Sequence, residues 1–210
     1  MTIPIRIMIV DDHPLYQRGL SSLLSTQPDL QLVATAGSAA EAMLCATASS
    51  PDVVLLDLRL PDVEGTDAVQ NLSRLSPNLK IVIVSSHEGD AMVKRAMAAG
   101  ARGYVSKNAS AEELLSVIRS VQEGKRSFST GIATKLLLTV GVPTLTPREV
   151  EIMEHVAAGF SNKEVGITLG MAEKTAKNHL TSIFAKLDAS DRTQAVVIAT
   201  VRGIIGQRSS

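Results

Sequence analysis

Ile7-Met8-Ile9-Val10-Asp11-Asp12 is the stretch whose reading sets the fold. A short, fully apolar run that ends abruptly in carboxylates reads as a strand buried on both faces. Three more runs behave alike: Val53-Val54-Leu55-Leu56 leads into Asp57, Ile81-Val82-Ile83-Val84 into Ser85, and Gly103-Tyr104-Val105 stops just before Lys107. With a fifth strand near 31–36, the runs alternate with helical patterns near 14–26, 38–48, 64–75, 89–99 and 110–123. Gln27-Pro28-Asp29, Ser50-Pro51-Asp52, Ser76-Pro77-Asn78 and Gly100-Ala101-Arg102-Gly103 punctuate them. Five βα units with short connections predict an α/β domain, a doubly wound five-stranded parallel sheet. Ligands of such sheets bind beyond the carboxyl ends of the strands. Three carboxylates, a hydroxyl and an ammonium are therefore expected at one edge, a site for a divalent cation and a phosphoryl group.

The rest of the chain narrows the class. Of 210 residues, 45% are apolar and 20% charged, enough for a core and too ordered a composition for a disordered chain. Aromatics make up only 2% and Trp is absent, which argues against base-stacking platforms. The single Cys45 excludes an intramolecular disulfide and a cysteine-built zinc site. No apolar run has the length of a signal peptide core or a membrane span, so a cytoplasmic protein is expected. The net charge of zero hides an asymmetry: residues 1–124 carry ten bases and fourteen acids, 125–143 three bases and no acid, and 144–210 eight bases and seven acids.

From Leu145 the pattern is helical throughout. Thr146-Pro147-Arg148-Glu149 is a capping box with proline at the first helical position, and Ser161-Asn162-Lys163-Glu164 repeats the start signal. Four helices are predicted: about 147–158, 162–169, 173–187 and 192–205. The short second helix, a turn at Gly170 and a longer third helix form a helix-turn-helix signature. On the third, Ala176, Leu180, Ile183 and Leu187 make an apolar stripe, and Lys174, Lys177, Asn178 and Thr181 lie opposite. Two cations, an amide and a hydroxyl on one face suit a major-groove reader; a merely solvated face is the plainer alternative. The expected domains are 1–123, a linker at 124–143 with a helix around 131–140, and 144–210.

Carboxylate oxygens of Asp11, Asp12 and Asp57 suit Mg²⁺. Asp57 is the candidate nucleophile, since carboxylates form acyl phosphates, with Lys107 and Ser85 placed to bind phosphoryl oxygens. Taken singly each residue has an ordinary alternative: an aspartate capping the helix that Pro14 opens, a strand-end carboxylate, a turn serine, a surface lysine. Together they would require four coincidences at one edge.

With Asp57-Leu-Arg-Leu-Pro and Gly65, the spacing of Asp11-Asp12, Asp57, Ser85 and Lys107 resembles the receiver domain of bacterial two-component response regulators, a flavodoxin-like fold, over residues 5–123. The resemblance implies that Asp57 accepts a phosphoryl group from a sensor histidine kinase. It also implies that Asp11 or Asp12, Asp57 and the backbone carbonyl of Arg59 hold Mg²⁺, and that Tyr104 is a switch aromatic able to turn inward. Asn108 departs from the family, where a proline in cis often follows the lysine; a cis bond before a non-proline costs about 3–4 kcal/mol. Arg59 stands where haloacid-dehalogenase-type phosphatases have a second aspartate, which argues against turnover of small substrates.

Leu145-Thr-Pro-Arg-Glu, Ser161-Asn-Lys-Glu, Glu173-Lys-Thr-Ala-Lys-Asn-His and Arg192-Thr-Gln-Ala resemble the LuxR-type DNA-binding domain over residues 145–196. Receiver and helix-turn-helix together are similar to the NarL/FixJ class. The resemblance implies base contacts from Lys177, Asn178 and Thr181, backbone contacts from Lys174 and Thr175, and a homodimer formed by the last helix. It departs at Ala172, where the family often has a capping serine, and at Ala176 in place of a common valine. Gly166, inside the second helix, would cost about 1 kcal/mol against alanine. The expected function is a transcription factor whose dimerisation and binding to promoter DNA follow Mg²⁺-dependent phosphorylation of Asp57, not an enzyme beyond its own phosphorylation and dephosphorylation. A regulator acting on protein partners is the alternative.

Overall fold

The computed structural model describes residues 3–139, 141 and 143–206. The expected outer limits of the two domains and linker positions 140 and 142 lie outside these. The described residues divide into two compact units, one of those up to Glu88 together with Val93–Lys135, the other of Gly89–Met92 together with those from Leu136 onward.

The first unit runs β1 (Ile5–Val10), α1 (Pro14–Ser25), β2 (Leu30–Ala36), α2 (Ala39–Ser49), β3 (Val53–Leu56), α3 (Gly65–Leu75), β4 (Lys80–Ser85), α4 (Asp90–Ala99), β5 (Gly103–Ser106) and α5 (Ala111–Gln122). β6 (Ser127–Phe128) and α6 (Thr130–Leu138) follow, the last three residues of α6 belonging to the second unit. The sheet order is β2-β1-β3-β4-β5-β6, with every pair parallel. The chain order reverses between β1 and β3, and that switch point opens the crevice in which ligands bind. Residues of β3 and β5 and the last four of β1 are all buried, as strands covered by helices on both faces must be. Ile7, Ile9, Val53, Leu55, Val82, Val84 and Val105 meet α1 and α5 through Leu20, Leu24, Leu114 and Ile118.

The sheet has six strands, not the five expected. β6 lies in the stretch read as linker and pairs with β5 through Gly103↔Ser127 and Tyr104↔Phe128. A two-residue strand has no periodicity to betray it, and only the exposed edge of β5 creates it.

The second unit contains α7 (Pro147–Ala157), α8 (Asn162–Leu169), α9 (Glu173–Leu187) and α10 (Arg192–Val201). Both capping boxes form: Thr146 with Glu149 and Ser161 with Glu164. Ala176, Leu180, Ile183 and Leu187 are all buried, together with Ile152, Met153, Val165 and Ala195. α10 stops at Val201, short of the expected Ile205. Ile204 and Ile205 instead fold back, their N–H groups on the Ala199 carbonyl and their side chains in the core. Gly166 is there for space: a Cβ would stand 2.8 Å from the Met171 carbonyl oxygen in the turn between α8 and α9.

Candidate functional site

Sheet register assembles the acidic pocket. Val10 pairs with Leu56, so the next residues, Asp11 and Asp57, emerge side by side, and Asp57 N–H donates to the Val10 carbonyl at 2.8 Å. Ser85 pairs with Ser106, and Lys107 N–H donates to the Ser85 carbonyl at 2.9 Å. Four stretches separated in sequence thus reach one edge. Lys107 Nζ stands 2.6 Å from both Asp11 Oδ2 and Asp57 Oδ2. The two carboxylate side chains are 3% and 5% exposed, so the shared ammonium offsets a heavy desolvation cost. Burial pulls the Lys107 pKa down, but the bonds to Asp11 and Asp57 outweigh it and leave the value raised.

Asp12 is more exposed and receives His13 Nδ1 at 2.7 Å. Neither aspartate caps α1: His13 is its N-cap, and Asp11 Oδ1 accepts the His13 N–H at 2.8 Å. Ligand atoms of Asp11, Asp12, His13 and Asp57 all lie within 4.8 Å of one another. Three carboxylates against one ammonium leave an excess of negative charge, and oxygen donors match a hard divalent cation, so this acidic cluster fits such an ion.

Asp57, Ser85 and Lys107 line one pocket of about 590 Å³ with His13, Tyr16, Arg59 and His87. Ser85 is fully buried, and its Oγ accepts the His87 N–H at 3.2 Å. Arg59 N–H donates to Asp57 Oδ1 at 3.3 Å, and its guanidinium donates to His87 Nε2 at 2.8 Å. Burial, and then the Arg59 charge, lowers the His87 pKa, which suits an imidazole that accepts. Gly65 lets the loop after β3 close, since a Cβ there would lie 2.4 Å from Leu58 Cα. Tyr104 already points inward, fully buried, its hydroxyl donating to the His87 carbonyl. Burial drives its pKa up. Asn108 follows Lys107 through a trans bond, and its N–H donates to Ser106 Oγ at 3.1 Å.

Residues from the β1–α1 and β4–α4 loops went unread. His13 directly follows the aspartate pair, which was a usable signal. Tyr16, whose ring lies 4.5 Å from Lys107 Nζ, and His87 sit in ordinary helix and turn positions and carried none.

On α9, Lys174, Thr175, Lys177, Asn178 and Thr181 are all exposed, opposite the buried stripe. The helix is anchored from behind by Lys186, which bridges Glu149 at 2.7 Å, and by Ser182 on the same carboxylate at 3.3 Å. Thr181 Oγ1 donates back to the Lys177 carbonyl at 3.2 Å. Ala172 is the N-cap and supplies no side-chain bond.

The family model for the response regulator receiver domain matches residues 7–119, and that for bacterial regulatory proteins of the luxR family matches 143–199. The chain belongs to the LuxR-family response regulators. This response regulator is similar to the transcriptional regulatory protein LiaR of Bacillus subtilis, 36% identical over 93% of this chain and 96% of LiaR. It is also similar to the response regulator protein VraR of Staphylococcus aureus, 34% identical over 96% of this chain and 99% of VraR. Among solved structures, the response regulator ChrA of a heme-sensing two-component system aligns over 96% of this chain and 99% of its own, with 30% identity and a TM-score of 0.56. The family is one of transcription regulators rather than metabolic enzymes. Among the described residues no helix is long and apolar enough to cross a membrane.

Proposed function

We propose that this response regulator is a DNA-binding transcription factor switched by phosphorylation of Asp57. One observation carries the reading: Lys107 Nζ lies equidistant, at 2.6 Å, from two buried carboxylates at the sheet's switch point. Asp11, Asp12, Asp57 and the Arg59 carbonyl would hold Mg²⁺, which when bound would supply charge neutralisation for the phosphoryl oxygens. An Asp57 oxygen attacks the phosphorus of a phosphohistidine on a sensor kinase. The O–P bond forms as the N–P bond breaks, and the electron pair leaves on the imidazole. Lys107 donates to the new phosphoryl group, and Ser85 turns its hydroxyl toward it. No other turnover is assigned to the pocket beyond loss of the phosphoryl group to water.

Residues 1–123 form the main body of the receiver and 144–210 the DNA-binding domain; of the stretch 124–143 expected as linker, β6 and the base of α6 pack on the receiver instead. Lys177, Asn178 and Thr181 read bases, Lys174 and Thr175 hold the DNA backbone, and two protomers pair on a pseudo-palindromic promoter site in the cytoplasm. The exposure of all five side chains on one helix supports this.

Asp57→Asn should abolish ³²P incorporation from acetyl phosphate with Mg²⁺. Incorporation at the wild-type level would refute Asp57 as the acceptor.

A further inference from the structure

Glu88 joins three elements of the first unit. It follows Ser85, Ser86 and His87 on the loop leaving β4. Its Oε1 accepts the Ser106 hydroxyl of β5 at 2.5 Å, and its Oε2 accepts Lys135 Nζ of α6. The Lys135 bond, then the Ser106 bond, holds the Glu88 carboxyl below the usual carboxylate range, and Asn108 adds a further side-chain bond. The base of α6 is fixed separately: Thr130 N–H donates to Glu113 Oε1 at 3.0 Å, Ser129 Oγ accepts Ser106 N–H at 3.3 Å, and Ile132 is fully buried. Lys135 lies more than a turn beyond Thr130.

The loop that carries Glu88 is held by the switch residues. His87 N–H rests on Ser85 Oγ, and Tyr104 OH rests on the His87 carbonyl. Drawing Ser85 Oγ toward a phosphoryl oxygen takes it away from the His87 N–H and loosens the residue next to Glu88.

We propose that Glu88 is a latch that clamps the later turns of α6 to the β4–α4 loop, and that a phosphoryl group on Asp57 opens it. The opening rests on the reading of Asp57 as phosphoacceptor; the clamp does not. Signal thus passes from the pocket to the helix that leads on toward the DNA-binding domain, through one carboxylate.

Amide hydrogen exchange on the full chain tests both parts. Beryllofluoride with Mg²⁺, a phosphoryl mimic, should protect amides around Asp57 and speed exchange over Ala133–Leu138 roughly three- to fivefold, as expected for loss of a partly exposed ion pair. Glu88→Gln keeps an acceptor for Ser106 and drops the charge, and it should show that acceleration without the mimic. Lys135→Met should match it. Protection around Asp57 without change over Ala133–Leu138 overturns the opening and leaves the phosphoacceptor reading intact. Exchange in both variants equal to wild type overturns the clamp. Absence of protection around Asp57 defeats the phosphoacceptor reading and the opening with it.

Discussion

Lys107 decides the electrostatics of the pocket. Its ammonium is shared by Asp11 and Asp57, and removing it leaves two buried carboxylates facing each other. Lys107→Ala should therefore lower unfolding free energy in EDTA by about 3 kcal/mol. Millimolar Mg²⁺ should restore part of the loss, because a cation that binds only the folded state stabilises it by mass action. Urea denaturation with and without Mg²⁺ measures both, and an unchanged midpoint in EDTA would contradict the shared-charge account. The pH dependence has a definite sign. The folded Lys107 pKa is raised, so its stabilisation is complete below the pKa of a free lysine and vanishes as pH climbs through the higher folded value. Asp11, Asp57, Ser85 and Lys107 were legible because each follows a buried strand, and strand ends converge. His87 and Glu88 were not, because a turn of polar residues looks alike whether or not it grips anything.

Helix ends and crossings set the quality of the DNA-reading unit. Gly166 looked like a weak point in α8, where alanine would gain about 1 kcal/mol of helix propensity. The structure reverses the sign: the Met171 carbonyl 2.8 Å from the would-be Cβ cannot yield without moving the turn that aims α9. Gly166→Ala should destabilise the unit by roughly 1–3 kcal/mol, the usual cost of overpacking, and a raised melting temperature would disprove this. Ala172 is the opposite case. Its backbone is extended as a cap requires, yet it bonds nothing through its side chain. Ala172→Ser should stabilise by about 1 kcal/mol in the same melts. The capping boxes of α7 and α8 were readable from four residues each, since a cap is local. The clash at Gly166 was not, since it depends on a carbonyl five residues away across a turn.

Charge governs how the assembled regulator meets DNA. Residues 144–210 carry only one more base than acid, so affinity must come from where the lysines stand, not from net charge. Lys174 in each of two protomers would displace counterions from the DNA. Lys174→Ala should reduce the slope of log K against log salt by about 2 for a dimer while sparing sequence preference. Gel shifts over a salt series measure it, and an unchanged slope would remove Lys174 from the DNA backbone. Periodicity and strand-end chemistry were enough to dictate the parallel sheet, the helical second unit and the acidic edge, because burial repeats at fixed intervals and topology brings strand ends together. The sixth strand, the inward Tyr104 and the grip of Glu88 on α6 were settled only by the folded chain. Each depends on a partner far along the sequence, and a hydrogen bond or an edge pairing leaves no periodic trace in the residues that make it.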